Sequence, residues 1–356
     1  MKSGRTRVGV LGIAILVAAV ATVRTVEAQT VHGKEYWRGI AAKRYEVPEG
    51  EKAFGLAKEL SGYLKSSDAE LRDDLAYSIL AEWILHKDVF SKDELLALEE
   101  EWRGNLKAGI GDSETGSVLG RSFSALCLAA IAERELKTPF LGEARYHKLL
   151  AAAESYLKEE RDLRGFDPVK GWIHAAAHTA DLLAALVRHP LFTKQDQAAV
   201  LGAIWWKLEG ADVVFAFREQ DRLANVLAAM AGRTDFDLAG FREWLIDIDR
   251  SDQAVWRDSP PKLEGLQRFE NDTYFLSAFV ARVSLGEMTS GAEEAKGGLG
   301  VVEEKVESKT EKLNTEITEV GAQRTRRRGI NSEEARKAAL GSLKMKMKIE
   351  SKTEKT

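Results

Sequence analysis

The feature that most constrains this chain is a set of apolar stripes that repeat with the period of an α-helix. After Ser67, an apolar residue recurs at every fourth position as far as Trp83, and a similar stripe follows Ser91 and runs to Leu106. Because 3.6 residues make one helical turn, side chains three or four positions apart share a face. Strand-like alternation is scarce, so the sequence predicts an all-α fold.

Several helix boundaries can also be read from the sequence. Ser67 and Ser91 each precede a glutamate by three positions, which is the pattern of a capping box, and Asp167 and Thr193 are further candidate N-caps. Outside the two stripes, helices are predicted at about Lys52–Leu64, Val118–Leu136, Glu143–Arg161, Val169–Arg188, Lys194–Leu208, Asp221–Ala231, Leu238–Ile248 and Gly265–Val283.

The spacing of the helices favours an architecture of stacked helical hairpins. Starts from Ser67 to Thr193 lie about 25 residues apart, so a pair of helices takes about 50 residues, near the length of a HEAT-type unit. We therefore predict an α-solenoid or α/α superhelix, HEAT-like in character. A compact orthogonal bundle and a closed α/α toroid are the competing arrangements.

The beginning of the chain has the features of a secretory signal peptide. A basic head that contains Lys2 precedes an apolar run, Val8–Val23, which is shorter than the ~20 residues of a spanning helix. Small residues lead up to Ala28, so residues 1–28 are predicted to be removed by cleavage near Ala28. The mature protein is then periplasmic or secreted, without a stable membrane span. The alternative is an uncleaved N-terminal membrane anchor.

Composition separates the middle of the chain from its C-terminal part. All aromatic residues and all prolines lie between Tyr36 and Phe279. Residues 29–285 are long enough for a sizeable helical domain. Residues 286–356 are rich in Gly, Glu, Lys and Thr and lack aromatics, so they are predicted to form a disordered, low-complexity tail.

Charge and cysteine content exclude some classes of function. The formal net charge is −4, and removal of the basic leader makes the remainder more acidic. An acidic domain disfavours binding to a phosphate backbone, so no nucleic-acid partner is expected. Cys127 is the only cysteine, which excludes an internal disulfide, and its apolar setting favours an inert buried thiol. The expected partner is a protein or a small-molecule ligand.

Two histidines and an aspartate form the strongest candidate site. If Gly171–Arg188 coils as a single helix, His174, His178 and Asp181 lie on one face, because they are spaced by four and three residues. This spacing lets two imidazoles reach one divalent metal such as zinc, with the aspartate as a third ligand or as an orienting group. Zinc peptidases need a glutamate directly after the first histidine, and this chain has Ala175 there.

Two other interpretations of these residues stay open. They can form a buried polar seam between helices, paired with Arg72, Arg121 or Arg164, or a pocket in which a histidine acts as acid or base. Asp73 and Asp74 are further catalytic candidates. The candidate binding residues are Arg121, Asp162, Arg164 and Trp172.

A series of short motifs in the same order resembles a bacterial family, the domain of unknown function family 2785. The motifs cover about Tyr45–Arg222 and are Tyr45–Pro48, Leu71–Tyr77, Gly109–Gly111, Arg121–Leu126, Asp162–Gly165 and Gly171–Asp181. The resemblance implies a mostly helical domain and supplies no activity.

The sequence thus supports two hypotheses for function. The leading one is an exported binding or interaction module with a polar groove lined by His, Asp and Arg side chains. The alternative is a metal-dependent hydrolase that uses the His-x3-His pair, with Asp73 or Asp74 as its base.

Overall fold

A computed structural model describes residues 31–284 of the chain. The predicted signal peptide and its cleavage near Ala28 lie outside these residues, and so does the predicted tail, 286–356. Within residues 31–284, no helix combines the length and the apolar character that crossing a membrane requires.

The described residues form eleven helices and one short hairpin, which confirms the all-α prediction. The helix α3 spans residues 70–87 and is π-helical over Glu70–Tyr77 and Trp83–Lys87 on either side of α-helical Ser78–Glu82. The other helices are α1 Lys34–Ala42, α2 Ala53–Tyr63, α4 Lys92–Asn105, α5 Ser117–Lys137, α6 Glu143–Glu159, α7 Ala175–Leu186, α8 Lys194–Glu209, α9 Glu219–Ala231, α10 Leu238–Val255 and α11 Leu263–Ser284. The antiparallel strands β1 Phe166–Asp167 and β2 Gly171–Trp172 form the hairpin.

From α5 onward the helices pack in two layers. In one layer α5, α7, α9 and α11 each contact the next, and in the other α6, α8 and α10 do the same. Contacts between α6 and α7 and between α10 and α11 join the layers. Packing between next-but-one helices is what stacked hairpins produce. The HEAT-like course of the stack and the toroid alternative stay predictions.

The core is densest where α5 meets α7. Nearly every residue of α7 is buried, and six of its twelve residues are alanines, which let the helix axes approach closely. α5 buries Phe123, Leu128 and Ile131 against it. Each such large side chain contributes about 1.5–3 kcal/mol on burial. This tight packing fixes the N-terminal end of α7, where the candidate histidines lie.

The capping predictions have mixed outcomes. Ser91 and Thr193 both form complete capping boxes, as predicted. The prediction for Ser67 is wrong, because the N-cap residue of α3 is Ala69. The side chain that bonds to this end of the helix is that of Asp68, whose Oδ1 accepts from the N–H of Leu71. The prediction for Asp167 is also wrong, since this residue lies in the hairpin.

Candidate functional site

The prediction of one continuous helix over Gly171–Arg188 is wrong at its N-terminal end. Gly171 and Trp172 form strand β2, and helix α7 begins only at Ala175. His174 is the N-cap residue of α7 and has a left-handed backbone, with φ 47° and ψ 32°. The two histidines therefore approach each other across the start of the helix, and not along one helical face.

A local turn explains why the helix starts late. Oδ1 of Asp167 accepts hydrogen bonds from the N–H groups of Val169 and Lys170, both at 2.9 Å, and so closes a tight turn around Pro168. Aspartate side chains that bond to their own backbone in this way compete with helix formation. Gly171 follows with φ +74°, a conformation that suits glycine.

Arg72 holds this hairpin in place. Its side chain is fully buried, and its Nη2 donates to the carbonyl oxygens of Lys170 at 2.7 Å and Trp172 at 3.2 Å. The guanidinium also lies over the ring of Phe123, 4.7 Å from its centre. Arg72 thus connects α3 to the hairpin and holds the backbone of Trp172 in place.

His178 is held by Ser122 in a defined tautomer. The Ser122 hydroxyl donates its single proton to the carbonyl of Ile173, and its oxygen lies 2.8 Å from Nδ1 of His178. Nδ1 therefore carries the proton, which leaves Nε2 as the acceptor of this ring. Burial, with smaller contributions from His174 and the charge of Arg222, lowers the pKa of His178 to about 3, so the ring is neutral at pH 7.

His174 is the second neutral imidazole. Its ring stacks on Trp172 with centroids 4.4 Å apart and meets the ring of His178 edge-on at 5.7 Å. Burial lowers its pKa to about 4, with a further contribution from the charge of Arg222, and a hydrogen bond to the backbone of Phe217 acts in the opposite direction. Nε2 has no hydrogen-bond partner among residues 31–284, so Nδ1 makes that bond.

Glu219 faces His174 without bonding to it. Its Oε2 accepts from the N–H of Phe217 at 2.9 Å, whereas Oε1 is buried and has no hydrogen-bond partner in the described part of the chain. Oε1 lies 3.8 Å from Nε2 of His174, too far for a hydrogen bond. Burial raises the pKa of the Glu219 carboxyl. The backbone of Gly165 approaches so closely that a Cβ there would lie 2.3 Å from Oε1.

These groups line a cavity of about 530 Å³, here called the histidine cavity. Its walls come from α3, α5, the hairpin, the start of α7, and the start of α9 with the loop before it. The lining residues are Asp73, Tyr77, Phe123, Leu126, Trp172, His174, His178, Ala216, Phe217, Arg218 and Arg222. A neighbouring space of about 350 Å³, the loop cavity, shares Ala216 and Phe217 with it and is also lined by Asp162, Arg164 and Glu219. The two cavities thus adjoin at Phe217.

Three aromatic rings form an exposed rim between the two cavities. Phe166, Trp172 and Phe217 are 42%, 43% and 41% exposed, which is high for large apolar side chains. Their ring centroids lie 4.9 to 6.2 Å apart, so the rings support one another. Exposed aromatic groups of this kind often mark binding surfaces.

The two candidate aspartates of α3 have different positions. Asp73 lines the histidine cavity, and burial raises its pKa to about 6 against the opposing effect of Arg72. Asp74 is exposed and lines neither this cavity nor the loop cavity. Only Asp73 is placed where it could act on a molecule beside the histidines.

Asp181 lies away from the two histidines. It lines a third cavity, of about 490 Å³, and forms an ion pair with Arg222. Within residues 31–284, no group of three or more His, Cys, Asp or Glu side chains is arranged to hold a metal ion. The structure therefore brings His174 and His178 together but directs Asp181 to an arginine.

The other predicted binding residues have different positions: Arg121 belongs to a buried ion pair, whereas Asp162 and Arg164 lie in the wall of the loop cavity. Arg121 is fully buried and bonds through Nε and Nη2 to both carboxylate oxygens of Glu160, at 2.6 and 3.0 Å. It lies outside the linings of the histidine and loop cavities. Asp162 and Arg164 form an ion pair at 2.6 Å in the wall of the loop cavity. Trp172 lies on the rim, as described above.

Sequence reasoning missed Glu219, Phe217 and Phe166. Phe217 lies in a loop and Phe166 in the short strand β1, where no helical period explains an aromatic residue, and this is the signal that could have found them. Glu219 begins a helix, where an acid is routine, so the sequence offered no signal for its role.

Chemically, the site can accept hydrogen bonds and exchange protons. Two neutral imidazoles and two carboxyl groups with raised pKa values surround or adjoin one cavity. Perturbed groups gathered in a cleft are typical of functional sites.

Comparisons with known proteins identify the family of the chain. No curated protein and no solved structure matches it. Residues 106–281 match the family described as Protein of unknown function (DUF2785), which confirms the resemblance predicted from the motifs. The matched range includes both histidines, Glu219 and the hairpin. Over residues 106–281 the chain therefore belongs to the DUF2785 family.

Proposed function

We propose that the protein is a binding module whose histidine cavity takes a small-molecule ligand. One observation carries this proposal: Nε2 of His174 and Oε1 of Glu219 are buried 3.8 Å apart, and neither has a hydrogen-bond partner among residues 31–284. Leaving buried polar atoms unpaired costs about 1–3 kcal/mol each. A ligand that supplied the missing hydrogen bonds would remove this cost.

The shape of the cavity supports the same function. Its volume of about 530 Å³ falls in the range of small-molecule sites, and its wall combines aromatic side chains with a few polar groups. Trp172 and Phe217 offer exposed ring surface at the entrance, and the histidines lie deeper. This gradient from apolar rim to polar floor suits an amphipathic ligand.

A variant that blocks the cavity tests the proposal. Ala216 is exposed and lines both adjoining cavities, so Ala216→Trp should fill the space without disturbing the core. Ala151→Trp, at an exposed position of α6 outside those cavity walls, is the matched control. The two variants and the wild type would be screened by thermal shift against a defined set of amines, carboxylates, sugars, cyclitols, small peptides and nucleosides.

We expect at least one compound to raise the Tm of the wild type and of Ala151→Trp but not of Ala216→Trp. If every stabilising compound also stabilises Ala216→Trp, the ligand site lies elsewhere and the proposal fails. It also fails if no compound stabilises the wild type.

A metal-dependent hydrolase is the second candidate, and the orientation of His178 favours it. Metal-binding histidines usually have their other ring nitrogen hydrogen-bonded, as Ser122 does here for Nδ1. His174 lines the same cavity and could contribute a second ligand, but no third His, Cys, Asp or Glu side chain within residues 31–284 is arranged with this pair to hold a metal ion. Metal analysis of protein purified without chelators should then show close to one zinc ion per chain, lost in His178→Ala. A metal content well below one per chain would exclude this candidate.

Export is a separate proposal that rests on residues 1–28. Mass spectrometry of the protein recovered from the periplasm or medium of its host should find a new N-terminus at Gln29. Recovery of the uncleaved chain from membranes would support the anchor instead.

A further inference from the structure

We infer that the ligand of the histidine cavity is a neutral polyhydroxylated ring, a sugar or a cyclitol, with one hydroxyl between His174 and Glu219. This inference rests on the proposed binding function and names the chemical class of the ligand.

The gap between the two orphaned atoms fits a single hydroxyl. Nε2 of His174 and Oε1 of Glu219 are 3.8 Å apart and both are closed to solvent, so a ligand must displace one of the two side chains slightly before its hydroxyl oxygen can lie about 2.8 Å from both atoms. A hydroxyl accepts and donates at the same time. Burial favours the protonated form of Glu219, which can donate to the hydroxyl oxygen, while the hydroxyl donates to the neutral ring of His174.

Two further groups on the wall of the histidine cavity can accept hydrogen bonds from a ligand. Nε2 of His178 is an acceptor, because Nδ1 carries the proton toward Ser122. The carboxyl of Asp73 lines the same cavity. A ligand with several hydroxyls can donate to several of these acceptors, whereas a ligand with one polar group cannot.

The local charges disfavour an ionic ligand of either sign. Arg222 lowers the pKa of both histidines, so its positive potential reaches their rings and would also oppose an ammonium group there. The carboxyl of Asp73, whose pKa is about 6, is ionised at pH 7 and would oppose an anion beside the histidines. A neutral donor avoids both penalties.

The aromatic rim completes the match to a ring-shaped polyol. The C–H face of a sugar is apolar and flat enough to pack on the exposed surface of Trp172 or Phe217. A peptide is a poorer match, since each peptide carbonyl is only an acceptor and would face the acceptors of His174 and His178. The exposed aromatic rings of the rim and the deeper histidines together therefore favour a polyol.

Isothermal titration calorimetry on the full chain tests this inference. The polyol probes are cellobiose, maltose, N,N′-diacetylchitobiose and myo-inositol. The comparison probes are phenethylamine, 3-phenylpropionate and the tripeptide Gly-Phe-Gly. We expect at least one polyol to bind with a Kd below about 1 mM, and more tightly than every comparison probe.

Variants then locate the binding. Trp172→Ala and His174→Ala should each weaken the polyol about tenfold or more, since one removes the stacking surface and the other an acceptor. Trp172→Phe should keep most of the affinity. His147→Ala, on α6 and outside the histidine and loop cavities, is the control and should bind as the wild type does.

Three results would overturn the assignment. One is that no polyol binds at about 10 mM. Another is that a polyol binds equally well to Trp172→Ala and His174→Ala. In the third, an amine, an acid or the peptide binds best and loses affinity in those variants; the binding function would then stand, and only the ligand class would be wrong.

Discussion

Two buried polar clusters of this protein differ in how far their hydrogen-bonding groups are satisfied. In the cluster of Arg121, Glu160 and Lys207, all three guanidinium nitrogens and both carboxylate oxygens are bonded, and Lys207 donates to the carbonyl of Glu160. In the pair of His174 and Glu219, one atom of each residue has no hydrogen-bond partner in residues 31–284.

The difference distinguishes scaffold from site. A buried network whose members are all bonded fixes one packing arrangement and has no need of a further molecule. A buried pair with open hydrogen-bonding positions beside a cavity keeps a cost that a ligand can remove. Arg121 and the histidines are all buried polar residues, so burial and charge do not distinguish the scaffold from the site. What distinguishes them is whether each buried nitrogen and oxygen atom has a hydrogen-bond partner.

The largest expected effect belongs to the bonded cluster. Glu160→Ala leaves Arg121 buried without its carboxylate, so the free energy of unfolding should fall by about 3–5 kcal/mol. Urea denaturation measures this change. Glu159→Ala, at the exposed neighbouring position, is the control and should change stability by less than about 0.5 kcal/mol. Similar small losses of unfolding free energy in both variants would contradict the assignment of Glu160 to a fully bonded scaffold cluster.

The second effect is a pH dependence caused by His178. Its pKa is about 3 in the folded protein, whereas histidine in an unfolded chain titrates near 6.5, so the unfolded state binds more protons between these values. Stability is therefore lost as the pH falls below 6.5. Relative to His178→Gln, the wild type should lose about 1.5 kcal/mol between pH 6.5 and 5.

Denaturation curves of the two proteins at each pH check this prediction. Asp73 acts in the opposite direction, because its pKa is raised to about 6, but it is present in both proteins and cancels in their difference. A difference that stays constant from pH 7 to 5 would mean that His178 takes up its proton equally in the folded and the unfolded state.

A smaller effect is expected at Glu219. Glu219→Gln keeps an oxygen to accept from the N–H of Phe217 and removes a carboxyl oxygen that has no described hydrogen-bond partner. The free energy of unfolding should therefore change by less than about 1 kcal/mol. Thermal and urea unfolding both measure it. A loss of about 3 kcal/mol or more would place Glu219 in the scaffold, with Glu160.

The smallest effect separates the two aspartates of α3. Asp74→Ala should alter stability by no more than about 0.5 kcal/mol and leave ligand binding unchanged, because the side chain is exposed and lines neither adjoining cavity. Asp73→Asn should instead change the affinity for the cellobiose or inositol probe that binds. Equal effects of the two variants would contradict the assignment of Asp73 to the cavity.

The helices were largely predictable because periodicity and capping are local properties of the sequence. The prediction for Lys52–Leu64 differs from the structure by one residue at each end, and that for Lys194–Leu208 differs by one residue at its C-terminal end only. The Ser91 and Thr193 boxes were recognised because each needs only four consecutive residues. The π-helical parts of α3 were not predicted, since no local pattern distinguishes them from α-helix.

The site was predictable only in part, because its geometry depends on contacts distant in sequence. The two histidines were found from their spacing, although that spacing assumed a helix that begins four residues too early, at Gly171 and not at Ala175. The stretch from Asp167 to Gly171 carries the signature of a turn as well as that of a helix start, and Arg72, about 100 positions away, clamps the turn. The approach of Glu219 to His174 likewise joins two segments that no local pattern relates.

The N-cap residues of α7 and α9 have a consequence for laboratory evolution. His174 and Arg218 both have left-handed backbones, with φ 47° and 70°, and both line the histidine cavity. Glycine or asparagine adopts this conformation at lower cost, by about 1 kcal/mol. Selection for heat resistance alone should therefore replace these two residues, whereas selection for ligand retention should keep the histidine. The two selections would therefore separate the lineages at the N-cap residue of α7.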